Sequence, residues 1–292
     1  MQILKTSVHK EEAHVKAIVM RSNTSFYWAM RLLPREKRTA MFAIYAFCRA
    51  VDDIADGSGT AHYKRMRLQK QRTEIVATFD GNPKNPLNRQ LLLAKNRFKL
   101  KSNDFLDIIE GMTMDVRDEQ IGERVRIASM NELSLYCDRV AGAVGRLSNG
   151  VFGLVGETSD RLASTLGRAL QVTKIHRDLL EDAESNRLYL PQEILKKHGI
   201  KNTKLEEVLA SPQLANVCDE MAKIAKQDFQ DAEAMLCLFE RKKIKPIMIM
   251  KNIYLPTLQR LIERGWFDLE QPVRLSRPEK LWIILRSGYL GR

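Results

Sequence analysis

The sequence predicts an all-α fold, with roughly ten helices packed around a central cavity. Apolar residues recur at spacings of three and four through most of the chain, and the alternating pattern of β-strands is nearly absent. The 292 residues are 44% hydrophobic with few glycines and prolines, which is enough to bury a sizeable core. No repeat, low-complexity tract or linker divides the chain. We therefore expect a single helical domain over residues 1–292, with its core at about residues 20–275 and a basic and apolar C-terminal helix at residues 277–292.

The same periodicity places the helices along the chain. The first long one is predicted at residues 38–56, shortly after Pro34, a residue that suits a helix start. The segment 133–152 contains several glycines, which cost helix propensity and are usually tolerated for close packing. Residues 80–86 are predicted to form a loop, and residues 188–191 an extended segment. The remaining long helices are predicted at residues 98–118, 162–183, 214–238 and 247–264.

The cysteines and the first residues bear on the cellular compartment. Cys48, Cys137, Cys218 and Cys237 show no Cys-x-x-Cys spacing, so we expect reduced thiols in the core and neither a zinc site nor a disulfide framework. The beginning of the sequence lacks the apolar run of a signal peptide. No stretch approaches the roughly 20 apolar residues that span a bilayer. These features favour a cytoplasmic protein.

The net charge of +12 is consistent with three kinds of partner: an anionic diphosphate substrate, an anionic membrane surface, or nucleic acid. Charge alone does not choose among them. A nucleic-acid binder would carry its basic residues on one face, together with aromatic residues that stack on bases. Here the basic residues are scattered and interleaved with acidic ones, so we expect no nucleic-acid partner.

Two Asp-x-x-x-Asp pairs are the most informative motifs. They are Asp52 and Asp56 beside Arg49, and Asp178 and Asp182 beside Arg177. On a helix, residues four apart share a face, where two like charges cost about 0.2–0.5 kcal/mol. A cation between the carboxylates would offset that cost. Mg²⁺ prefers such oxygen ligands together with substrate phosphates, and arginine binds phosphate oxygens. The motifs therefore suggest a diphosphate clamp, although solvated helix faces also combine Asp with Arg.

The sequence segments around these pairs resemble those of squalene and phytoene synthases. The resemblance covers about residues 20–275, in the same order and with similar spacing. Within this family the chain is most similar to bacterial presqualene diphosphate synthases of hopanoid biosynthesis. The segments that carry the resemblance are residues 25–34, 45–56, 111–115, 136–145, 171–191 and 264–266.

The resemblance implies an isoprenoid-synthase-type helical bundle and an Mg²⁺-dependent prenyltransferase. The implied reaction joins two farnesyl diphosphates head to head into presqualene diphosphate and diphosphate. Two or three Mg²⁺ ions are expected, and no NADPH is expected for this step. The alternatives are a squalene, dehydrosqualene or phytoene synthase, and a non-catalytic family member that acts as a binding or assembly protein.

Site roles follow from the same resemblance. The implied metal ligands are Asp52, Asp53, Asp56, Asp178 and Asp182. Four of these, Asp52, Asp56, Asp178 and Asp182, are implied to be catalytic together with Tyr45. The implied substrate contacts are Ser25, Tyr45, Arg49, Gln171, Lys174, Arg177, Tyr254 and Arg274, and Tyr136 is expected to border the cavity.

Lys174 departs from the family pattern, which usually has asparagine one helical turn before Asp178. Asparagine offers a carbonyl oxygen to a metal, whereas lysine is a cation with donors only. Either one metal site is altered and the ammonium contacts diphosphate directly, or activity is impaired. His176 nearby is expected to be structural.

The C-terminal stretch at residues 280–286 mixes apolar and basic side chains. It suits either a peripheral contact with the inner face of the membrane or a packing helix with solvated ends. Both readings stay open, and the sequence does not indicate an oligomeric state.

Overall fold

The computed structural model describes residues 2–22, 26–116, 125–201 and 204–287, and most of them are helical. The all-α prediction is confirmed, but the described part of the chain holds fifteen α-helices where roughly ten were predicted. The additional helices are mostly short. In order, the helices are α1 Gln2–Arg21, α2 Phe26–Arg31, α3 Arg35–Asp56, α4 Ala61–Phe79, α5 Pro86–Phe98, α6 Ser102–Asp115, α7 Met130–Cys137, α8 Ala143–Phe152, α9 Glu157–Arg177, α10 Leu179–Glu184, α11 Gln192–Lys197, α12 Leu205–Leu209, α13 Leu214–Leu236, α14 Arg241–Arg264 and α15 Arg277–Leu285.

Two short features interrupt this helical pattern. A π-helical turn, Asp138–Gly142, joins α7 to α8. Strands β1 (Val125–Arg126) and β2 (Arg187–Leu188) form a parallel pair of two residues each. The pair ties the segment after α10 to the segment before α7.

Two of the predicted helices differ from the structure for a local backbone reason. The helix predicted at residues 98–118 begins only at Ser102, because Lys99 adopts a left-handed conformation (φ 56°) that ends α5. The helix predicted at residues 162–183 is interrupted at Asp178 (φ −102°, ψ 13°), so α9 ends there and α10 follows.

Helix α3 follows directly from its sequence pattern. Pro34 precedes its first turn, as predicted. One face is buried in the core, with Ala43, Phe47 and Val51 fully excluded from solvent. The opposite face carries the acidic and basic residues of the first motif. Burial of the apolar face, at about 25 cal/mol per Å² of apolar surface, fixes which way that motif points.

Helix α9 lies at the centre of the bundle and packs against α8, α13 and the π-helical turn. The predicted close approach of small residues is confirmed here. A Cβ atom built on Gly167 would lie 2.7 Å from the backbone nitrogen of Gly142, so no larger residue fits. This contact sets the middle of α9 directly against the π-helical turn.

The described residues contain no helix long and apolar enough to cross a membrane. All four cysteines are free thiols. Cys137 and Cys218 are buried as expected, whereas Cys237 is exposed at the end of α13, because the chain leaves the core there.

Candidate active site

A cavity of about 220 Å³ opens between α3, α6, α9 and α10, and we call it the central cavity. Its wall combines acidic and basic side chains with apolar ones. It collects residues from six separate stretches of the chain. The lining residues are Tyr45, Cys48, Arg49, Asp52, Asp56, Ile108, Met112, Asp115, Tyr136, Val140, Val144, Gln171, Lys174, Ile175, Asp182, Arg187 and Tyr189.

The first acidic pair lies on the α3 side of this cavity. Arg49 forms ion pairs with Asp52, at 3.2 Å, and with Asp53. Burial and the neighbouring Asp56 raise the pKa of Asp52, while the positive charges of Lys174 and Arg49 oppose that shift. The predicted pair therefore shares one face and one space, and it carries the electrostatic cost that a bound cation would relieve.

Asp53 has a different position. Its side chain is 55% exposed and turned toward Arg49, and it is not part of the cavity wall. Its ion pair with Arg49 links it to the site.

The second acidic pair differs from the sequence prediction, because Asp178 and Asp182 line different cavities. The helix break at Asp178 is the physical reason. Asp182 faces the central cavity, where burial raises its pKa to about 7 and Lys174 opposes the shift. Asp178 instead forms a bidentate ion pair with Arg177, with both N–O distances at 2.7 Å.

Asp178 and Arg177 belong to a second cavity of about 380 Å³, which we call the Arg177 cavity. Tyr254 and Arg274 also line it, so three of the predicted substrate contacts meet there. The hydrogen bonds from Arg177 to Asp178 raise the pKa of the guanidinium, and contact with Tyr254 adds to this. Lys280, from α15, adds another positive charge to the wall.

The predicted residues thus divide between two places. Tyr45, Arg49, Gln171 and Lys174 lie with three of the motif aspartates in the central cavity. The predicted contact Ser25 lies outside the described residues.

A buried carboxylate beside the central cavity was missed from the sequence. Asp115 accepts hydrogen bonds from the hydroxyls of Tyr136, at 3.0 Å, and Tyr189, at 2.8 Å. The two tyrosine rings stack with their centroids 5.0 Å apart. Burial raises the pKa of Asp115 to about 6. The signal in the sequence was an aspartate at the end of an apolar helix, but its partners lie 21 and 74 residues away.

Arg187 was also missed as a site residue, although it belongs to the stretch that carried the resemblance. Its guanidinium lies 2.7 Å from a carboxylate oxygen of Asp56. The parallel pairing of β2 with β1 holds it in this position.

His176 is structural, as predicted. It is buried, and its ring nitrogens lie 2.8 Å from the carbonyl oxygen of Val172 and 3.1 Å from that of Cys218. Its ring packs on Trp266. Burial lowers the pKa of the imidazole, so it remains neutral.

The donor chemistry of the central cavity fits Mg²⁺ that arrives with a diphosphate. Asp52, Asp56 and Asp182 offer hard oxygen ligands from both acidic segments. Within the described ranges, no three Asp, Glu, His or Cys side chains lie close enough to hold a metal by themselves. Mg²⁺ commonly takes one or two carboxylates and completes its shell with substrate phosphates and water. The residues present suit that arrangement better than a preformed metal cage.

Comparison with known proteins gives consistent similarities. The family model for squalene/phytoene synthase matches residues 19–279. A presqualene diphosphate synthase from Rhodopseudomonas palustris is 42% identical over 263 residues, covering 90% of this chain and 92% of the relative. A second, from Sinorhizobium fredii, is 39% identical over 267 residues, covering 91% and 94%.

A solved structure of a dehydrosqualene synthase in complex with ligand is similar at a TM-score of 0.80 and 26% identity, covering 98% of both chains. The segment matched by the family model contains both acidic pairs and every site residue predicted from the sequence.

Proposed function

Because the chain belongs to the squalene/phytoene synthase family, we propose that it joins two farnesyl diphosphates head to head into presqualene diphosphate and diphosphate. The reaction ionises one allylic diphosphate. The C2–C3 double bond of the second molecule attacks the resulting cation, and loss of a proton closes a cyclopropane ring. The observation that carries the proposal is the meeting of carboxylates from both acidic segments with three cationic side chains in one partly apolar cavity.

The charged residues of the cavity wall would bind the diphosphate. Mg²⁺, in two or three ions, would be held by Asp52, Asp56 and Asp182, with Asp178 at the edge of the neighbouring cavity. When bound, it supplies Lewis-acid stabilisation of the departing diphosphate. Arg49 and Arg187 lie in position to bind phosphate oxygens beside these carboxylates.

The apolar residues of the cavity protect the carbocation from water. Ile108, Val140 and Ile175 offer no nucleophile to the cation, and together with Met112 they exclude water from its surroundings. The face of Tyr45 adds cation–π stabilisation, up to about 2 kcal/mol when desolvated. The Arg177 cavity, with Arg177, Tyr254 and Arg274, is suited to the diphosphate of the second substrate molecule.

Product identification tests this assignment. Purified protein is incubated with Mg²⁺ and radiolabelled farnesyl diphosphate, with and without NADPH. We expect a cyclopropyl C30 diphosphate in both conditions. Squalene formed only with NADPH would instead assign a squalene synthase, and a C40 product from geranylgeranyl diphosphate would assign a phytoene synthase. Folded protein that turns over neither substrate would indicate a binding or assembly role.

The reaction has a lipid-like product, and α15 supports a peripheral membrane contact as part of the proposal. Leu281 and Trp282 are 52% and 58% exposed, while Ile284 packs into the bundle. Lys280, next to them, lines the Arg177 cavity. The helix therefore offers apolar and basic side chains near a cavity mouth, as interfacial helices do.

Sedimentation with vesicles tests the membrane contact. We expect more protein to bind vesicles that contain anionic phosphatidylglycerol than vesicles of phosphatidylcholine alone. The double variant Leu281→Ser/Trp282→Ser should lose this binding. Phe267→Ser, at an 85% exposed residue outside α15, is the matched control and should retain it.

A further inference from the structure

The cationic side chains of the central cavity are not equivalent. Arg49 is engaged by Asp52 and Asp53, and Arg187 is engaged by Asp56. Lys174 also lines the cavity, yet its ammonium forms no ion pair or hydrogen bond with any residue that the structure describes. Within the described part of the chain, it is a cation that lines the site without an ion pair of its own.

The charge of Lys174 nevertheless acts on both acidic segments. It opposes the effect of burial on Asp52 of α3 and on Asp182 of α10. These two carboxylates come from different helices that line the same cavity. Like Arg187, which pairs with Asp56 and also opposes the shift of Asp182, Lys174 is thus a cation whose field reaches an aspartate of each motif. Lys174 differs in having no ion pair to a described residue, and reaching both motifs is the role expected of a divalent ion bridging them.

The balance of charge in the cavity wall also bears on how many divalent ions the cavity would bind. Its wall contains four carboxylates and three cationic side chains: Asp52, Asp56, Asp115 and Asp182, and Arg49, Lys174 and Arg187. Little uncompensated negative charge is left to attract divalent ions, and removing the charge of Lys174 would increase it. An ammonium also has three donors and no acceptor, so it repels a metal ion and cannot ligate one.

We propose that the ammonium group of Lys174 is a resident cation that takes the place of one divalent ion between the two acidic segments. It bridges Asp52 and Asp182 to the oxygens of a bound diphosphate. The ligand recognised at this site is therefore a diphosphate accompanied by fewer divalent ions than the carboxylates alone would hold. The inference rests on the proposed diphosphate-binding function.

The number of bound metal ions tests the proposal without depending on turnover. Mn²⁺ binding is measured by the electron paramagnetic resonance of free Mn²⁺, in the presence of saturating inorganic diphosphate. We expect Lys174→Asn, which replaces the cation with an amide oxygen, to bind one more Mn²⁺ per chain than the unsubstituted protein. Lys174→Arg keeps the charge and should leave the number unchanged. Lys223→Asn, at an exposed lysine of α13, is the matched control and should also leave it unchanged.

The contrary results are equally definite. Equal Mn²⁺ numbers for the unsubstituted protein and Lys174→Asn would overturn the proposal, whatever happens to diphosphate affinity. If that affinity falls at an unchanged metal number, Lys174 is only a phosphate contact. Circular dichroism checks that each variant is folded, and Lys174→Gln replaces Lys174→Asn if the latter is not. The number of bound Mn²⁺ ions can be measured even if the protein makes no presqualene diphosphate. Failure of the proposed function and failure of this inference are therefore distinguished.

Discussion

Arg187 of β2 and Asp56 at the end of α3 form an ion pair with an N–O distance of 2.7 Å. The contact joins the basic stretch after the second acidic segment to the first acidic segment, across the mouth of the central cavity. Because Arg187 is mostly buried while Asp56 is about half exposed, the arginine is the fixed partner. If Asp56 instead held a metal ion, the guanidinium of Arg187 would be free to bind a diphosphate.

Loss of Arg187 should therefore impair catalysis. We expect Arg187→Met to lower kcat by about 10²-fold, in the range found when one charge-stabilising donor is removed from an active site. Arg161→Met, at an exposed arginine of α9, should leave kcat unchanged. Steady-state kinetics with farnesyl diphosphate measure both. A kcat for Arg187→Met within twofold of the unsubstituted protein would exclude Arg187 from the reaction.

The two neighbouring aspartates of α3 should differ in importance. Asp52 lines the central cavity, whereas Asp53 is turned toward Arg49 and does not. We expect Asp52→Asn to lower kcat by about 10²–10³-fold, because under the proposed function it removes a ligand of the Mg²⁺ that would stabilise the leaving group. Asp53→Asn should cost less than about 10-fold, through Arg49 alone. Equal losses in the two variants would show that Asp53 also binds the metal.

Part of this site follows from sequence periodicity and part does not. The amphipathic pattern of α3 fixes which residues are buried, and so it predicts that Asp52 and Asp56 share a face. The break at Asp178 could not be predicted, since Leu179 and Leu180 continue the apolar pattern of α9 without a glycine or proline. Placing Asp182 in one cavity and Asp178 in another depends on that break.

Asp115 shows the second limit of sequence reasoning. Its partners Tyr136 and Tyr189 come from distant segments and meet only because the bundle folds around the central cavity. No local spacing encodes such a contact. The cluster became visible only in the folded chain.

Asp115 should make stability depend on pH. Its pKa is about 6 in the folded protein and 3.8 as the ordinary value, because burial penalises the charged form. Between these values the folded state binds more protons than the unfolded state, so its contribution to stability is complete below about pH 4 and is lost as pH rises through 6. Asp115→Asn should thus match the unsubstituted protein at pH 4 and exceed it at pH 8 by about 2–3 kcal/mol.

Urea unfolding at several pH values measures this difference. Asp231→Asn, at an exposed aspartate of α13, is the control and should show no pH-dependent gain. A difference between Asp115→Asn and the unsubstituted protein that stays constant from pH 4 to pH 8 would contradict the raised pKa of Asp115.

Gly167 should be required for the packing of α9. An added Cβ would lie 2.7 Å from the nitrogen and 2.9 Å from the Cα of Gly142, and backbone cannot yield as a side chain can. We expect Gly167→Ala to lower the free energy of unfolding by about 1–3 kcal/mol. Gly150→Ala in α8 is the matched control, because its Cβ would meet the side-chain end of Leu100 at 3.1 Å and the carbonyl oxygen of Phe98 at an ordinary 3.8 Å. It should be neutral or slightly stabilising, as alanine favours the helix. Thermal unfolding of the two variants tests the contrast, and equal melting temperatures would rule out the close contact.

The stoichiometry of diphosphate release tests the proposed reaction most directly. Farnesyl diphosphate consumed and inorganic diphosphate released are measured in the same reaction, with Mg²⁺ and without NADPH. Joining two substrate molecules into presqualene diphosphate releases one diphosphate for every two farnesyl diphosphates consumed, which is the result we predict. One diphosphate for each farnesyl diphosphate would mean simple hydrolysis or a second ionisation, and it would contradict the assignment.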